Sequence, residues 1–320
     1  MKILIIPGLT LPSVADEDIE RIRIAGGNAD VVVSALEDAI NHVGDTDVVL
    51  GLLSKKMFLA SSRLKWVHAI ASGVDMFLYD EFVSSGVILT SEKGLVGEHL
   101  ADHGFGLLLM LTRQLATALR LGPASWEHRP EMRSKEIELT GSTLGIFGFG
   151  GTGKAMARRA VGFGMRVIAL DREEMEVSDG ADEVVGPEGF ESMLARSDVV
   201  SICCPLTPET RGKFDSSTFS AMKDEALLVN VTRGEVMVEE DLVVALREGV
   251  IAGAALDVAP REPLPENSEL WTLENVVMSP HTAGASQFRA SRNIDRFIRN
   301  LEHFRVGESL EGVIDKELGY

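Results

Sequence analysis

Residues 143–171 read TLGIFGFGGTGKAMARRAVGFGMRVIALD. The apolar run Leu144–Phe147 predicts a buried strand that leads directly into Gly148, Gly150 and Gly153, after which a helical pattern begins. These glycines have the G-x-G-x-x-G spacing of a dinucleotide-binding turn. The first permits the tight turn, the second lets a pyrophosphate approach, and the third lets the helix pack close to the strand. The alternative is a glycine-rich turn that serves only tight packing.

A second strand, Arg166–Leu170, is predicted to end in an acidic residue. Asp171 follows the glycines by about 20 residues, where a carboxylate can accept hydrogen bonds from an adenosine ribose. Because Asp171 would repel a 2′-phosphate, we expect NAD rather than NADP. Arg172 could partly accommodate a phosphate, and Asp171 alone could be an ordinary turn carboxylate.

Composition narrows the class of partner. The chain has 320 residues, enough for two domains, and its 49 acidic against 31 basic residues give a formal charge of −18. Such a charge repels phosphate backbones and anionic lipid, so nucleic acid and membrane surfaces are disfavoured as partners. Cys203 and Cys204 are adjacent in the strand-like VVSICC, where they would point to opposite faces. A disulfide framework or a metal site is therefore not expected.

The N-terminus and one long apolar segment bear on localisation. Met1 opens directly into KILII without a visible secretory signal, so a cytoplasmic protein is expected. Leu95–Leu119 is strongly apolar, but its longest uninterrupted apolar run, Leu107–Leu111, is far below the ~20 residues that a bilayer requires. One long buried helix is the better interpretation.

The first hundred residues alternate strands with helices, which favours a parallel sheet covered by helices. The predicted strands are Ile3–Ile6, Val31–Val33, Val48–Leu50, Val67–Ile70 and Val87–Leu89, and the predicted helices include Asp16–Ala25 and Ser34–His42. Ala71–Asp75 (ASGVD) follows the fourth strand and would expose backbone amides at the carboxyl end of the sheet. A plain strand-to-helix turn is the alternative there.

The alternation resumes after Asp171 and indicates a cofactor domain over residues 99–287. The closing segment Ala290–Phe304 predicts an amphipathic helix that crosses back to the N-terminal domain. The substrate domain would then consist of residues 1–98 and 288–320.

Three polar residues follow predicted strands of the cofactor domain. Arg233 follows LLVNVT, Glu262 lies in LDVAPREPL, and His281 follows VVMSP. Because the carboxyl ends of parallel strands share one edge of a sheet, these side chains can converge on one crevice. Individually, they could also be a surface arginine, a loop carboxylate and a packing histidine.

Together these motifs resemble the D-isomer-specific 2-hydroxyacid dehydrogenases over nearly the whole chain. The segments that carry the resemblance are ASGVD, VGEH, LTGSTLGIFGFGGTGKAMA, GMRVIALD, CPLTPETRG, VNVTRGEVM, LDVAPREPLP and SPHTAG. The resemblance implies an α/β fold with two Rossmann-like or flavodoxin-like domains, parallel sheets, an active site in the interdomain cleft and a homodimer. It also implies NAD-dependent interconversion of a 2-keto acid and a D-2-hydroxy acid, of glyoxylate, hydroxypyruvate or phosphoglycerate type.

The resemblance further implies individual roles. Arg233 would bind the substrate carboxylate, His281 would donate and accept the proton, and Glu262 would pair with His281. Ser72, Gly73 and Val74 would meet the substrate carboxylate through backbone amides. The residues expected at the cofactor are Gly148, Phe149, Gly150, Gly151, Thr152, Gly153, Asp171, Arg172, Cys204, Pro205, Thr210, Val231, Thr232, Arg233, Asp257, His281, Ala283 and Gly284.

The chemistry of the reaction fits these residue types. Reduction of a 2-keto acid places a hydride on C2 while the oxygen gains a proton, which requires an acid and a cation. Histidine is a suitable acid, and arginine can hold a carboxylate through two parallel hydrogen bonds. One departure from the family is Ser91–Gly94 (SEKG), which precedes VGEH. A corepressor-like relative that senses NAD(H) without turnover is the alternative function.

Overall fold

The computed structural model describes residues 1–320, which form two compact units. The first unit comprises residues 1–96 and 285–320, and the second comprises residues 97–284. The bounds expected from the sequence lie two or three residues further along the chain. Each unit is built on one all-parallel sheet, of five strands in the first and seven in the second, so the predicted α/β class with two parallel sheets is confirmed.

The sheet of the first unit has the strand order β2-β1-β3-β4-β5. Its strands are β1 (Lys2–Ile5), β2 (Asp30–Val33), β3 (Val48–Leu50), β4 (Trp66–His68) and β5 (Ile88–Thr90). β1, β3 and β4 are almost entirely buried, as expected for parallel strands with helices on both faces.

The sheet of the second unit has the order β12-β11-β10-β9-β6-β7-β8. Its strands are β6 (Thr143–Phe147), β7 (Arg166–Leu170), β8 (Glu183–Val185), β9 (Val199–Ile202), β10 (Leu227–Asn230), β11 (Gly253–Leu256) and β12 (Val276–Met278). The direction of the strand order reverses between β6 and β9, which is where ligands of open α/β sheets bind.

Eleven α-helices connect or cover these strands. They are α1 (Asp16–Ala25), α2 (Lys55–Ala60), α3 (Asp80–Val83), α4 (Gly97–Thr112), α5 (Leu115–Leu121), α6 (Arg129–Ser134), α7 (Gly151–Gly162), α8 (Phe190–Arg196), α9 (Ser216–Ser220), α10 (Glu239–Arg247) and α11 (Arg289–Val306). No helix is both long and apolar enough to cross a bilayer.

The closing helix α11 packs against α1 of the first unit. Its apolar side chains Ile294, Phe297 and Leu301 are buried, and the rings of Phe297 and Trp66 lie 5.0 Å apart between centroids. Burial of this helix explains why a segment so far along the chain belongs to the N-terminal unit.

Two predicted helices differ in the structure. Ser34–His42 contains only the short 3-10 turn Ala39–Asn41, because residues 35–38 are exposed and offer no apolar face to stabilise a helix. The single helix expected over Leu95–Leu119 is broken, since Gln114 has a φ of +53° between α4 and α5. The Thr112 carbonyl at the end of α4 instead accepts the Ile137 N–H at 2.8 Å.

His68, at the end of β4, is wholly buried and has an altered pKa. Its Nδ1 lies 2.7 Å from Thr90 Oγ1. Burial, together with the positive charge of Arg296, lowers the pKa of His68 to about 3. The imidazole is therefore neutral in the folded protein.

This pKa predicts that acid destabilises the protein before its carboxylates titrate. Below pH ~6.5 the unfolded chain binds a proton at His68 that the folded chain does not bind until pH falls to about 3, so stability declines throughout that window. Between pH 7.5 and 5.5 we expect His68 to account for a loss of about 1.4 kcal/mol in the free energy of unfolding. Urea unfolding at both pH values should show a smaller loss for His68→Gln, and an equal loss in both proteins would contradict the assignment.

Candidate active site

The three glycines of the turn after β6 occupy different surroundings. Gly148 has a φ of +100°, and a Cβ there would lie 2.6 Å from the Cys204 backbone nitrogen. A Cβ at Gly153 would lie 2.2 Å from the Gly148 carbonyl oxygen. A Cβ at Gly150, by contrast, would meet nothing within 4 Å. The structure thus has close packing at the first and third glycines and open space at the second.

Helix α7 begins beside this open space with Gly151 and Thr152. The first N–H groups of a helix have no acceptor within the helix, and they carry the positive end of its dipole. Such a terminus binds phosphate when a side chain does not block the approach, and at Gly150 nothing does. The residues present therefore fit the pyrophosphate of a dinucleotide.

The carboxylate of Asp171 lies directly beyond β7 and contacts the glycine turn. Its Oδ2 accepts the Phe149 N–H at 2.7 Å, and its Oδ1 accepts the Glu173 N–H at 3.1 Å. Each oxygen retains capacity for a further donor, such as a ribose hydroxyl. The neighbouring Arg172 is about half exposed and lies 3.5 Å from the Glu173 carboxylate.

The segment after β9 holds three of the residues expected at the cofactor. Thr210 Oγ1 donates to the Pro205 carbonyl at 2.8 Å, which closes the loop. Cys204 is free and buried, and burial raises the pKa of its thiol. The adjacent Cys203 is likewise free and buried, and burial raises its pKa to about 12. Both sulfurs are therefore unreactive thiols at neutral pH.

The turn after β10 presents Arg233. Val231 is buried, and the wholly buried side chain of Asn230 makes hydrogen bonds to the backbone of two residues in this turn. Its Nδ2 donates to the Arg233 carbonyl at 2.9 Å, and its Oδ1 accepts the Thr232 N–H at 3.0 Å. The half-buried Arg233 guanidinium donates a hydrogen bond to the Thr232 carbonyl at 2.9 Å. A guanidinium carries five N–H donors in a planar fork, so it can contact several acceptors at once.

Gly234 brings this turn against the loop that follows β11. A Cβ at Gly234 would lie 1.9 Å from the Ala259 carbonyl carbon and 2.4 Å from the Pro260 nitrogen. Only glycine allows the two backbones to approach this closely. The turn of Arg233 and the loop of Glu262 are thereby packed together.

Glu262 and His281 form a direct pair. His281 Nδ1 lies 2.6 Å from Glu262 Oε2, and Glu262 Oε1 accepts the Ala259 N–H at 3.0 Å. The two side chains are 45% and 37% exposed, so a substrate can reach the imidazole. With Nδ1 committed to the carboxylate, Nε2 is the nitrogen available for proton transfer.

Asp257 makes hydrogen bonds to the backbone of His281 and of the two residues that follow it. Its carboxylate is buried and accepts the N–H groups of Thr282 at 2.9 Å and Ala283 at 2.7 Å, and its carbonyl accepts the His281 N–H at 2.8 Å. His281 has a φ of +53°, a conformation that few non-glycine residues adopt unless their surroundings impose it. The hydrogen bonds to Asp257 impose this conformation on His281. Gly284, which follows Ala283, is half-buried.

β10, β11 and β12 are neighbours in the sheet, so Arg233, Glu262 and His281 lie at one carboxyl edge, as the sequence predicts for strand ends. Ser72, Gly73 and Val74 follow β4 in the other unit, where Ser72 and Gly73 are half-buried and Val74 is buried.

Sequence reasoning missed the supporting residues Asn230 and Gly234. The motif VNVTRG carries both, but their contacts depend on turn geometry.

The chain is similar in sequence to proteins of known family. Residues 105–283 match the family described as D-isomer specific 2-hydroxyacid dehydrogenase, NAD binding domain. Glyoxylate reductase from Korarchaeum cryptofilum is 37% identical over 289 residues, which cover 87% of this chain and 86% of that protein.

Two solved structures are similar to this chain over all or nearly all of its length. A D-isomer specific 2-hydroxyacid dehydrogenase family protein from Aeromonas salmonicida is 29% identical with a TM-score of 0.79, covering 98% of this chain and 99% of that one. The NADPH-dependent glyoxylate/hydroxypyruvate reductase of Sinorhizobium meliloti, solved with NADP and sulfate, is 26% identical with a TM-score of 0.80 and 100% coverage of both chains. This chain therefore belongs to the D-isomer specific 2-hydroxyacid dehydrogenase family, and it is an oxidoreductase that acts on CH–OH donors with an NAD(P)-binding domain.

Proposed function

We propose that the protein reduces a small 2-keto acid of the glyoxylate or hydroxypyruvate type to the 2-hydroxy acid, of D configuration where C2 is a stereocentre, with NADH as the preferred reductant. The observation that carries the proposal is the 2.6 Å contact between His281 and Glu262. The loop of Glu262 packs through Ala259 and Pro260 against Gly234, next to Arg233. An acid and a cation thus lie at the same edge of the sheet as the glycine turn.

Each side chain has a distinct task in this reaction. The guanidinium of Arg233 holds the substrate carboxylate through two hydrogen bonds, which orients the 2-keto group. His281 Nε2 donates a proton to the keto oxygen as C2 is reduced, and Glu262 stabilises the imidazolium before transfer and keeps the ring oriented. When bound, the nicotinamide supplies the hydride. In the reverse direction His281 takes the proton from the hydroxyl group.

The preference for NADH rests on Asp171, whose carboxylate lies beside the glycine turn at 2.7 Å from the Phe149 nitrogen. A 2′-phosphate would bring negative charge close to this carboxylate, whereas ribose hydroxyls can donate to it. The half-exposed Arg172 lies near Glu173, which offsets part of its attraction for a phosphate.

A spectrophotometric panel of 2-keto acids tests the function. Glyoxylate, hydroxypyruvate, pyruvate and phosphohydroxypyruvate would be assayed with NADH and with NADPH. We expect turnover with at least one acid and a kcat/KM more than about tenfold higher with NADH, equivalent to ~1.4 kcal/mol of discrimination. A higher kcat/KM with NADPH would overturn the cofactor preference. Tight NADH binding without turnover on any acid would indicate a sensing protein instead.

We also propose that backbone amides of Ser72, Gly73 and Val74 bind the substrate carboxylate. Ala71, which precedes them, is held because its carbonyl accepts the Glu92 N–H at 3.1 Å. Glu92 itself is wholly buried, with Arg289 Nε at 3.0 Å from its Oε2. Amide NMR shifts at these residues should change when oxamate, an unreactive analogue of a 2-keto acid, is added with NAD. Unchanged shifts would remove the loop from the site.

We further propose that the protein is a homodimer. Leu115, Leu119 and Trp126 of the second unit are 48%, 74% and 77% exposed, which is unusual for apolar side chains so close in sequence. A second copy would cover them. Light scattering should give twice the 34.6 kDa chain mass, and a single-chain mass at micromolar concentration would contradict this assembly.

A further inference from the structure

His103 lies on α4 and contacts the carboxylate that supports His281. Its Nε2 is 2.7 Å from Ser279 Oγ and 3.3 Å from Asp257 Oδ1, and its side chain is 27% exposed. Ser279 Oγ in turn lies 2.6 Å from Asp257 Oδ1. All of these residues belong to the second unit.

The sheet register places the members of this cluster side by side. Leu256 of β11 pairs with Met278 of β12, so Asp257 and Ser279 each come directly after neighbouring strands. The Ser279 N–H donates to the Leu256 carbonyl at 3.0 Å, which continues the ladder by one residue. Helix α4 packs against both strands and carries His103 to them.

The number of protons in the cluster determines which groups donate. The Ser279 hydroxyl has a single hydrogen, and its 2.6 Å distance to Asp257 Oδ1 is typical of an O–H donor to a carboxylate. That hydrogen is therefore not available to His103. The 2.7 Å contact between His103 Nε2 and Ser279 Oγ is a hydrogen bond only if Nε2 carries a proton and donates it.

We propose that His103 is a positioning residue for proton transfer by His281. Its Nε2–H orients the Ser279 hydroxyl onto Asp257. The carboxylate so fixed holds the Thr282 and Ala283 N–H groups, and through them the left-handed backbone of His281. The proposal rests on the proposed function, since it assigns His103 to the same reaction.

Kinetics of three variants test this chain of contacts. His103→Leu removes the donor, and we expect kcat to fall about tenfold while the KM for the 2-keto acid stays within about twofold, because Arg233 is untouched. His103→Gln places an amide donor near the position of Nε2, and we expect it to retain kcat within about threefold of the wild type. Ser279→Ala should resemble His103→Leu.

His128→Gln is the matched control, because its side chain is 48% exposed and lies outside this cluster. It should leave both kinetic constants unchanged. A full kcat in His103→Leu would overturn the proposal. Equal losses in His103→Leu and His103→Gln, accompanied by equal drops in Tm, would assign His103 a merely structural role and would also overturn it.

A second measurement separates this proposal from the proposed function. The imidazole ¹⁵N spectrum of the wild-type protein, with the His103 signals identified by their loss in His103→Gln, should show a protonated Nε2 at neutral pH. A neutral ring protonated only at Nδ1 would contradict the proposal whether or not the protein turns over. If no 2-keto acid is reduced, the proposed function fails and with it the kinetic role of His103, while a protonated Nε2 would still support the contact itself.

Discussion

Replacing His281 with asparagine should lower kcat by about 10²- to 10⁴-fold, the usual contribution of a positioned general acid. Asparagine is chosen because it tolerates the φ of +53° at this position better than alanine does. The backbone hydrogen bonds to Asp257 can then persist, so the loss reports on the imidazole. NADH affinity should change little, because the substitution leaves Asp171 and the glycine turn, which are proposed to hold the ribose and the pyrophosphate, unaltered.

Steady-state kinetics together with NADH fluorescence titration would measure both quantities. His128→Asn serves as the control for loss of an exposed histidine, and it should behave as the wild type does. If His281→Asn kept its turnover, the proton would have to come from another group, and the assignment of His281 would be wrong.

Replacing Arg233 with alanine should lower kcat/KM for 2-keto acids by roughly 10²- to 10⁴-fold, mostly through a higher KM. Two hydrogen bonds between charged groups, each contributing ~1.5–3 kcal/mol, are lost from the substrate carboxylate. Arg233→Lys keeps the charge but not the planar fork, so it should recover only part of the loss. The Arg233 turn itself should persist, because Asn230 holds it through the backbone.

The matched control for charge is Arg247→Ala. Arg247 lies on α10, where it pairs with Glu269 at 3.1 Å, and its removal changes the net charge by the same amount. We expect kcat/KM to be unchanged in this variant. An equal decrease in both arginine variants would point to the overall field rather than to a bound carboxylate.

The glycine turn was predictable because its signal is local. Strand, glycines, helix and acidic residue all lie within residues 143–171, and β7 has the expected bounds. The same holds for Arg233 and His281, since parallel strands bring their carboxyl ends to one edge whatever the loops do. The roles of these residues nevertheless remain predictions until the variants are measured.

Two helices were predicted wrongly because hydrophobic periodicity does not report tertiary contacts. Gln114 ends one helical run and starts another because of its left-handed backbone and because Ile137 contacts Thr112. Ser34–His42 has a helical composition but remains exposed over residues 35–38. In both cases tertiary contacts decide the outcome.

The contacts around the site could not be predicted from the sequence because they join residues that are far apart along the chain. Ser279 and His103 are 176 residues apart, and no pattern in either segment predicts their contact. Glu92 stands in the segment SEKG that departs from the family pattern, and its ion pair with Arg289 spans 197 residues. Only the folded chain shows that Glu92 is a buried anchor of the first unit rather than a surface carboxylate.

Transfer of deuterium from the cofactor to the substrate tests the proposed reduction at C2. NADH carrying deuterium at both C4 positions would be incubated with a 2-keto acid that the panel identifies and whose product has D and L forms, such as hydroxypyruvate or pyruvate. The product would be analysed by NMR and chiral chromatography. We expect one deuterium at C2 of a D-2-hydroxy acid for each NADH consumed. Oxidation of NADH without deuterium at C2, or formation of the L-acid, would contradict this expectation.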